Sequence, residues 1–199
     1  MNDRENNLQA YVNDMFAVEK HTLEAVNRQV DSGDIQRHSN AHQLVKRIQS
    51  TLNQNTASLE KRLDTWGGPS SLKSAAASVA GVVAGAYDHV RSETASRMLR
   101  DDYTALSMVA VAYTMLHTTA LALQDHTTAD LALQNLKKVT PLITDLSKII
   151  PIVVVHDVHH DVESADVSVA QQAVRNTQEA WDADHIKAMS TSKMYAAAD

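Results

Sequence analysis

The sequence has 199 residues, a net charge of −6 and no cysteine, and these facts exclude several classes of protein. A chain without cysteine forms no disulfide, no zinc finger and no catalytic thiolate. An acidic chain with no run of Lys or Arg longer than two residues also lacks the clustered positive charge that binds nucleic acid.

The composition predicts an all-α protein. Hydrophobic residues make up 44% of the chain, enough to form a buried core. Gly and Pro, the residues that end helices and make turns, number only 5 and 3. Few turns in a chain of this length mean long helices.

The first third of the chain carries two helical patterns separated by a turn. We predict a helix from about residue 4 to 30, because apolar and small residues recur every three or four positions, as at the seam of a helical bundle. Residues 31–34 predict a turn, and a second helix follows from about residue 35 to 66, although the polar run 38–40 favours a later start. The sequence 67–69, Gly-Gly-Pro, predicts its end.

The next part predicts a connection and a second helical pair. Residues 72–91 are rich in Ala, Val and Gly and predict a connecting helix. Two long helices follow, from about 93 to 124 and from about 128 to 150, and Pro141 predicts a kink or a break in the latter. Two helical hairpins joined by a long connection correspond to an antiparallel four-helix bundle of ferritin-like layout.

The pattern changes after Pro151. Residues 152–161 are β-branched and His-rich, show no helical period and are compatible with an extended segment, whereas residues 165–189 predict a further helix. We therefore divide the chain into a bundle, 1–150, and a C-terminal extension, 151–199.

One uncharged stretch, Tyr103–Gln124, has the length of a membrane span. Its four Thr, one Ser and His117 are unfavourable in lipid, so we predict a helix buried by its neighbours instead. The polar N-terminal residues lack the apolar core of a signal peptide. Together these features predict a cytoplasmic protein that does not enter a membrane.

A buried acid is the first candidate for chemistry. Glu19 lies on the inner row of the first helix, where an unpaired carboxylate costs several kcal/mol. Asn55 comes level with it only if the second helix starts late, near residue 41, and Tyr113 lies near the middle of the helix predicted over 93–124. A polar layer of the three residues therefore depends on where the second helix begins. Such a layer is either the remnant of a metal site or a hydrogen-bonded polar cluster.

Residues 13–25 around this acid resemble the first helix of the YciE/YciF-type ferritin-like proteins. Asp14, Glu19, Lys20 and Ala25 match the pattern of that helix, and Phe16 stands where Tyr is usual. Over the rest of the chain, to about residue 150, the resemblance is one of helix order and length.

The resemblance implies a bundle fold but an incomplete di-iron site. The family places a Glu on each bundle helix, and some members add a Glu-x-x-His pair. Here only Glu19 carries over: residues 53–56 are Asn-Gln-Asn-Thr, residues 108–112 hold no carboxylate or His, and residues 137–140 are Lys-Lys-Val-Thr. A di-iron centre needs about four carboxylates and two His, so the usual activity is not expected.

Three histidines in five residues form a second candidate, His156, His159 and His160. If this segment is helical, His156 and His160 share a face, and if it is extended they share one with Val158. In either case two imidazoles can meet one divalent ion such as Zn²⁺ or Ni²⁺. The alternative is that these histidines are solvated side chains in a connecting segment.

Three functional hypotheses follow from these features. The first is a non-catalytic structural, stress-associated or interaction protein with no cofactor, which pairs as a homodimer as ferritin-like bundles often do. The second is a protein that binds Fe, Zn or Ni through Glu19 or through the three histidines. The third is a membrane-associated hairpin that uses residues 103–124.

Overall fold

The computed structural model describes residues 3–68 and 94–181, and within these two ranges it contains helices and no strand. This confirms the all-α prediction. The elements in chain order are α1 (Asp3–Val30), the single turn α2 (Gly33–Gln36), α3 (Ser39–Asp64), α4 (Ala95–Ala122), α5 (His126–Asp161), a turn of 3₁₀ helix (Val167–Val169) and α6 (Ala170–Ala180).

Helices α1 and α3 form the first hairpin. Their antiparallel pairing is fixed by two side-chain hydrogen bonds, one between Gln49 and Asn27 at 2.8 Å and one between Asn55 and Glu19 at 3.1 Å. The turn contains α2, and α3 begins at Ser39 rather than at residue 35, as the polar run 38–40 favoured. This later start brings Asn55 level with Glu19.

Helices α4 and α5 form the second hairpin, around a tight turn at Gln124. This residue has a φ of 55°, in the left-handed region that commonly ends a helix. The amide of Asp125 donates to the carbonyl of Ala120 at 2.8 Å, and the Asp125 side chain accepts from the amide of Thr128 at 2.8 Å. The same aspartate therefore follows the end of α4 and caps the start of α5.

The two hairpins pack so that α1 contacts α4 and α3 contacts α5. The pairs Arg47–Asp145 and Arg62–Asp125 show that α3 and α5 run antiparallel. The largest fully buried side chains come from all four long helices and from α2, and they are Met15, Ile35, Leu44, Ile48, Leu52, Leu59, Leu63, Leu99, Leu106, Tyr113, Leu116 and Leu146. One apolar core thus lies between the four long helices.

Residues 152–161, for which the sequence left an extended and a helical conformation open, are helical. Helix α5 continues to Asp161, and neither Pro141 nor Pro151 interrupts it. Val153 is buried in the core, and this burial outweighs the weak helix propensity of a β-branched run. The division that we placed after residue 150 falls inside this helix.

The described part of the C-terminal region is also helical. After the 3₁₀ turn, α6 packs along α5, and Gln178 donates to the hydroxyl of Ser147 at 3.3 Å. The predicted helix from 165 to 189 thus begins later, at Ala170. Its residues after Trp181, and the connecting helix predicted over 72–91, lie outside the described residues.

Within the described ranges, α4 and α5 are long and apolar enough to cross a membrane by length and composition. Only 33% of the most apolar stretch of α4 and 22% of that of α5 are buried. We predicted that neighbouring helices bury residues 103–124 on most sides, but the described helices leave the outward side of α4 exposed. That side exposes Val111, Met115 and Leu121 because no described element covers it.

Candidate functional site

One polar side chain from each of the four long helices lies in a single buried layer. The structure brings together Glu19 on α1, Asn55 on α3 and Tyr113 on α4, the three residues that the sequence singled out. Asn135 on α5 completes the layer, and all four side chains are essentially inaccessible to solvent. The sequence analysis missed Asn135.

Hydrogen bonds connect the layer across the core. Asn55 Nδ2 donates to Glu19 Oε1 at 3.1 Å, and Asn135 Nδ2 donates to Tyr113 Oη at 3.0 Å and to Ser58 Oγ at 2.9 Å. Lys138 is an exposed residue of α5, but its Nζ reaches the two amide oxygens, at 3.4 Å from Asn55 and 3.3 Å from Asn135. The layer is therefore a network of amide, phenol, carboxyl and ammonium groups.

Burial dominates the titration of Glu19. It raises the pKa of this carboxyl from 4.5 to about 8, whereas hydrogen bonding to Asn55 and Tyr113 and the charge of Lys138 lower the pKa by less. Glu19 Oε2 has no hydrogen-bond partner among the described residues. At neutral pH this carboxyl therefore holds its proton and carries no charge.

Tyr113 is held in its neutral form as well. Burial raises the pKa of its phenol, and the neighbouring Glu19 raises it further, while Asn135 opposes the shift. A neutral phenol accepts the hydrogen bond from Asn135 without any need for a counter-ion. The layer consequently holds no anion at neutral pH.

This set of groups is poorly suited to a dinuclear metal centre. Two metal ions of the di-iron type need several anionic ligands to neutralise them, and the layer has one carboxyl, which holds its proton. The Lys138 ammonium adds a positive charge beside the position that the ions would occupy. The hydrogen bonds within the layer instead favour the second alternative that the sequence offered, a buried cluster of polar side chains that bind one another.

A second buried acid, Asp102 on α4, was also missed. Neither of its oxygens forms a well-aligned hydrogen bond with a described residue, although the Gln29 side chain lies near enough to favour the charged form. Burial raises its pKa from 3.8 to about 7; Gln29 across on α1 lowers this pKa and the adjacent Asp101 raises it. Asp102 precedes Tyr113 by 11 residues, or about 16 Å of helix, so it does not share the layer of Glu19.

The burial of Asp102 could have been predicted from the spacing of residues on α4. Asp102, Leu106, Val109 and Tyr113 follow one another at intervals of 4, 3 and 4, the spacing of a buried helix face. The acid is easily assigned to the surface because it follows Arg100 and Asp101, which pair with each other at 2.7 Å.

The three C-terminal histidines separate in the structure. His156 and His160 share a face of α5, as the helical alternative predicted, and they line a cleft of about 390 Å³. His159 lies elsewhere, with its Nδ1 3.2 Å from the carbonyl oxygen of Ala165. His38, from the junction between α2 and α3, faces the same cleft, and the sequence alone did not join it to this group.

No protein-family model, curated protein or solved structure matches this chain. The resemblance to YciE/YciF-type proteins stays a prediction from residues 13–25.

Proposed function

We propose that this chain is a ferritin-like helical protein in which a hydrogen-bonded polar layer stands in the place of a di-iron centre, and that it acts as a non-catalytic structural or interaction protein. The layer of Glu19, Asn55, Tyr113 and Asn135 carries this proposal. Each long helix contributes one polar group at the same level, but three of the four groups are neutral amides or a phenol, which do not replace the missing carboxylates.

The path of the chain supports the ferritin-like part of the proposal. Neighbouring helices run antiparallel, α3 ends beside the start of α5, and α4 starts beside the end of α5. The end of α3 and the start of α4 thus lie at opposite ends of the helices, as in bundles with one long crossover connection. The stress-associated role rests on the resemblance of residues 13–25 alone.

The charge of the layer argues against a metal cofactor within the layer itself. A carboxyl with a pKa of about 8 and an adjacent ammonium disfavour divalent cations, because metal binding would have to displace the Glu19 proton and approach Lys138. We infer that the layer serves to fix the register of the four helices, since polar groups in a core need particular partners.

Iron loading tests this proposal directly. Untagged protein incubated anaerobically with Fe²⁺, desalted and then exposed to oxygen should retain far less than one iron per chain and show no oxidase activity. Glu19→Ala is the matched variant, and any trace of iron should be equal in the two proteins. About two irons per chain with oxidase activity, lost in Glu19→Ala, would overturn the proposal.

The side of α4 that none of the described residues covers supports self-association as the interaction. Val111 and Met115 are exposed on adjacent turns, and Leu121 lies further along the helix. We propose that a second copy of the chain packs here, and light scattering should give a dimer that Met115→Lys disrupts and Gln171→Lys leaves intact. A monomer at high concentration would contradict the dimer, and a need for detergent would favour the membrane hypothesis over a cytoplasmic protein.

A further inference from the structure

We propose that a zinc ion binds in the cleft where the α2–α3 junction meets the end of α5. Its ligands are His38, His156, Asp157 and His160. The site is independent of the central polar layer. It also differs from the trio of His156, His159 and His160, because His159 faces away from the cleft.

Two distances in the cleft are close to those of a zinc coordination sphere. His38 Nε2 lies 3.5 Å from Asp157 Oδ1. Two ligands of one tetrahedral zinc ion, each bonded at about 2.0–2.1 Å, lie about 3.4 Å apart. The same bond lengths put the ring centroids of two imidazoles about 5 Å apart, and those of His38 and His156 are 5.8 Å apart at an interplanar angle of 53°.

Asp157 is already oriented for this role. Its Oδ2 accepts a hydrogen bond from the backbone amide of Ser96, in the first turn of α4, at 2.9 Å. This bond holds the carboxylate in place and leaves Oδ1 directed at His38. Metal-binding carboxylates are commonly held in this way by a hydrogen bond to the oxygen that does not bind the metal.

His160 supplies the fourth position by a change of side-chain rotamer. It lies one helical turn after His156 on the same side of α5 and is exposed, with its Nδ1 3.5 Å from Asp161 Oδ1. Among residues 3–68 and 94–181, no group of three His, Cys, Asp or Glu side chains is arranged to hold a metal ion without rearrangement. The exposed His156 and His160 side chains must therefore turn inward when the ion binds.

The charges around the cleft suit a divalent cation. Asp34, Asp157 and Asp161 line it together with three histidines. Arg37, the cation in this lining, is paired with Asp34 at 2.7 Å. The carboxylates and imidazoles left to meet the ion are the ligand types that bind zinc in proteins.

Calorimetric titration of the untagged full chain with ZnCl₂ at pH 7.5 tests the site. We expect one ion per chain bound more tightly than 0.1 mM, a limit of about 5.5 kcal/mol, with an increase in melting temperature. His38→Ala and Asp157→Asn should each weaken binding at least tenfold, because each removes a direct ligand.

Two matched variants separate this site from other histidines. His126→Ala removes an exposed histidine at the other end of α5, and His159→Ala removes the one that faces Ala165, so both should bind zinc as the parent does. Binding by the parent weaker than 0.1 mM would overturn the site. Unchanged binding in His38→Ala would overturn it too, because an ion held by His156 and His160 alone would not need His38.

Discussion

The amide of Asn55 on α3 donates to the carboxyl of Glu19 on α1 at 3.1 Å, and both side chains are completely buried. The bond ties the two helices of the first hairpin at one register. It supplies no charge to balance an ionised Glu19, which is why burial determines the protonation state of the acid.

Glu19→Gln should make the protein more stable at high pH. Between about pH 4.5 and 8 the unfolded chain releases the Glu19 proton while the folded chain retains it, so the free energy of unfolding falls as the pH rises. Gln does not titrate and should gain roughly 1–3 kcal/mol over the parent at pH 8.5. Urea unfolding at pH 5 and pH 8.5 measures this, with the exposed Glu24→Gln as control. An unchanged pH dependence would show that Glu19 is ionised in the folded chain.

Asp102→Asn should act in the same direction over a lower pH window. The pKa of Asp102 rises from 3.8 to about 7, so its stabilising effect is complete below pH 3.8 and is lost as the pH rises through 7. The variant should exceed the parent by roughly 1–3 kcal/mol at pH 8, and Asp130→Asn, on the surface of α5, should not. Because Glu19 and Asp102 are far apart, the two gains should add. A less stable Asp102→Asn at pH 8 would mean that an unseen partner binds the carboxylate.

Arg62→Lys should destabilise the end of α3. The guanidinium donates to Asp125 at 2.6 Å and to Thr128 at 2.8 Å, and it stacks 3.9 Å from the centroid of the Trp66 ring. Lysine keeps the charge but loses the planar fork and the stacking, at a cost of about 1.5–3 kcal/mol. Arg47→Lys is the matched control, since its pair with Asp145 is more exposed and should cost less than about 1 kcal/mol. Equal losses in denaturant unfolding would contradict this ranking.

Pro141→Ala should stabilise α5. Pro141 lies on an exposed position in the interior of the helix, where it lacks the amide hydrogen that would bond to the preceding turn. Alanine restores that bond, and we expect a gain of about 1–3 kcal/mol in the free energy of unfolding. Thr140→Ala, also exposed, changes only intrinsic propensity and should gain less than about 1 kcal/mol. A loss of stability in Pro141→Ala would show that the proline fits a bend that the core requires.

The helices were largely readable from the sequence because their signals are local. The 3–4 spacing, the Gly-Gly-Pro stop and the polar run at 38–40 placed α1 and α3 to within a few residues. The same periodicity identified Glu19 as a buried acid. The conformation of residues 152–161 stayed open because their β-branched side chains give a weak local signal, and the burial of Val153 against the core decides it.

The sequence by itself determined that the chain is helical and that an acid lies on an inner face. Only the tertiary structure decided which groups meet that acid, because the register between two helices depends on where each begins and on how their side chains interlock. Asn135 entered the layer through contacts with Ser58 on α3, 77 positions away, and with Tyr113 on α4, 22 positions away. His38 came beside His156 in the same way, from a distant part of the chain. Such contacts leave no periodic trace in the chain, since each helix carries only its own half of the pair.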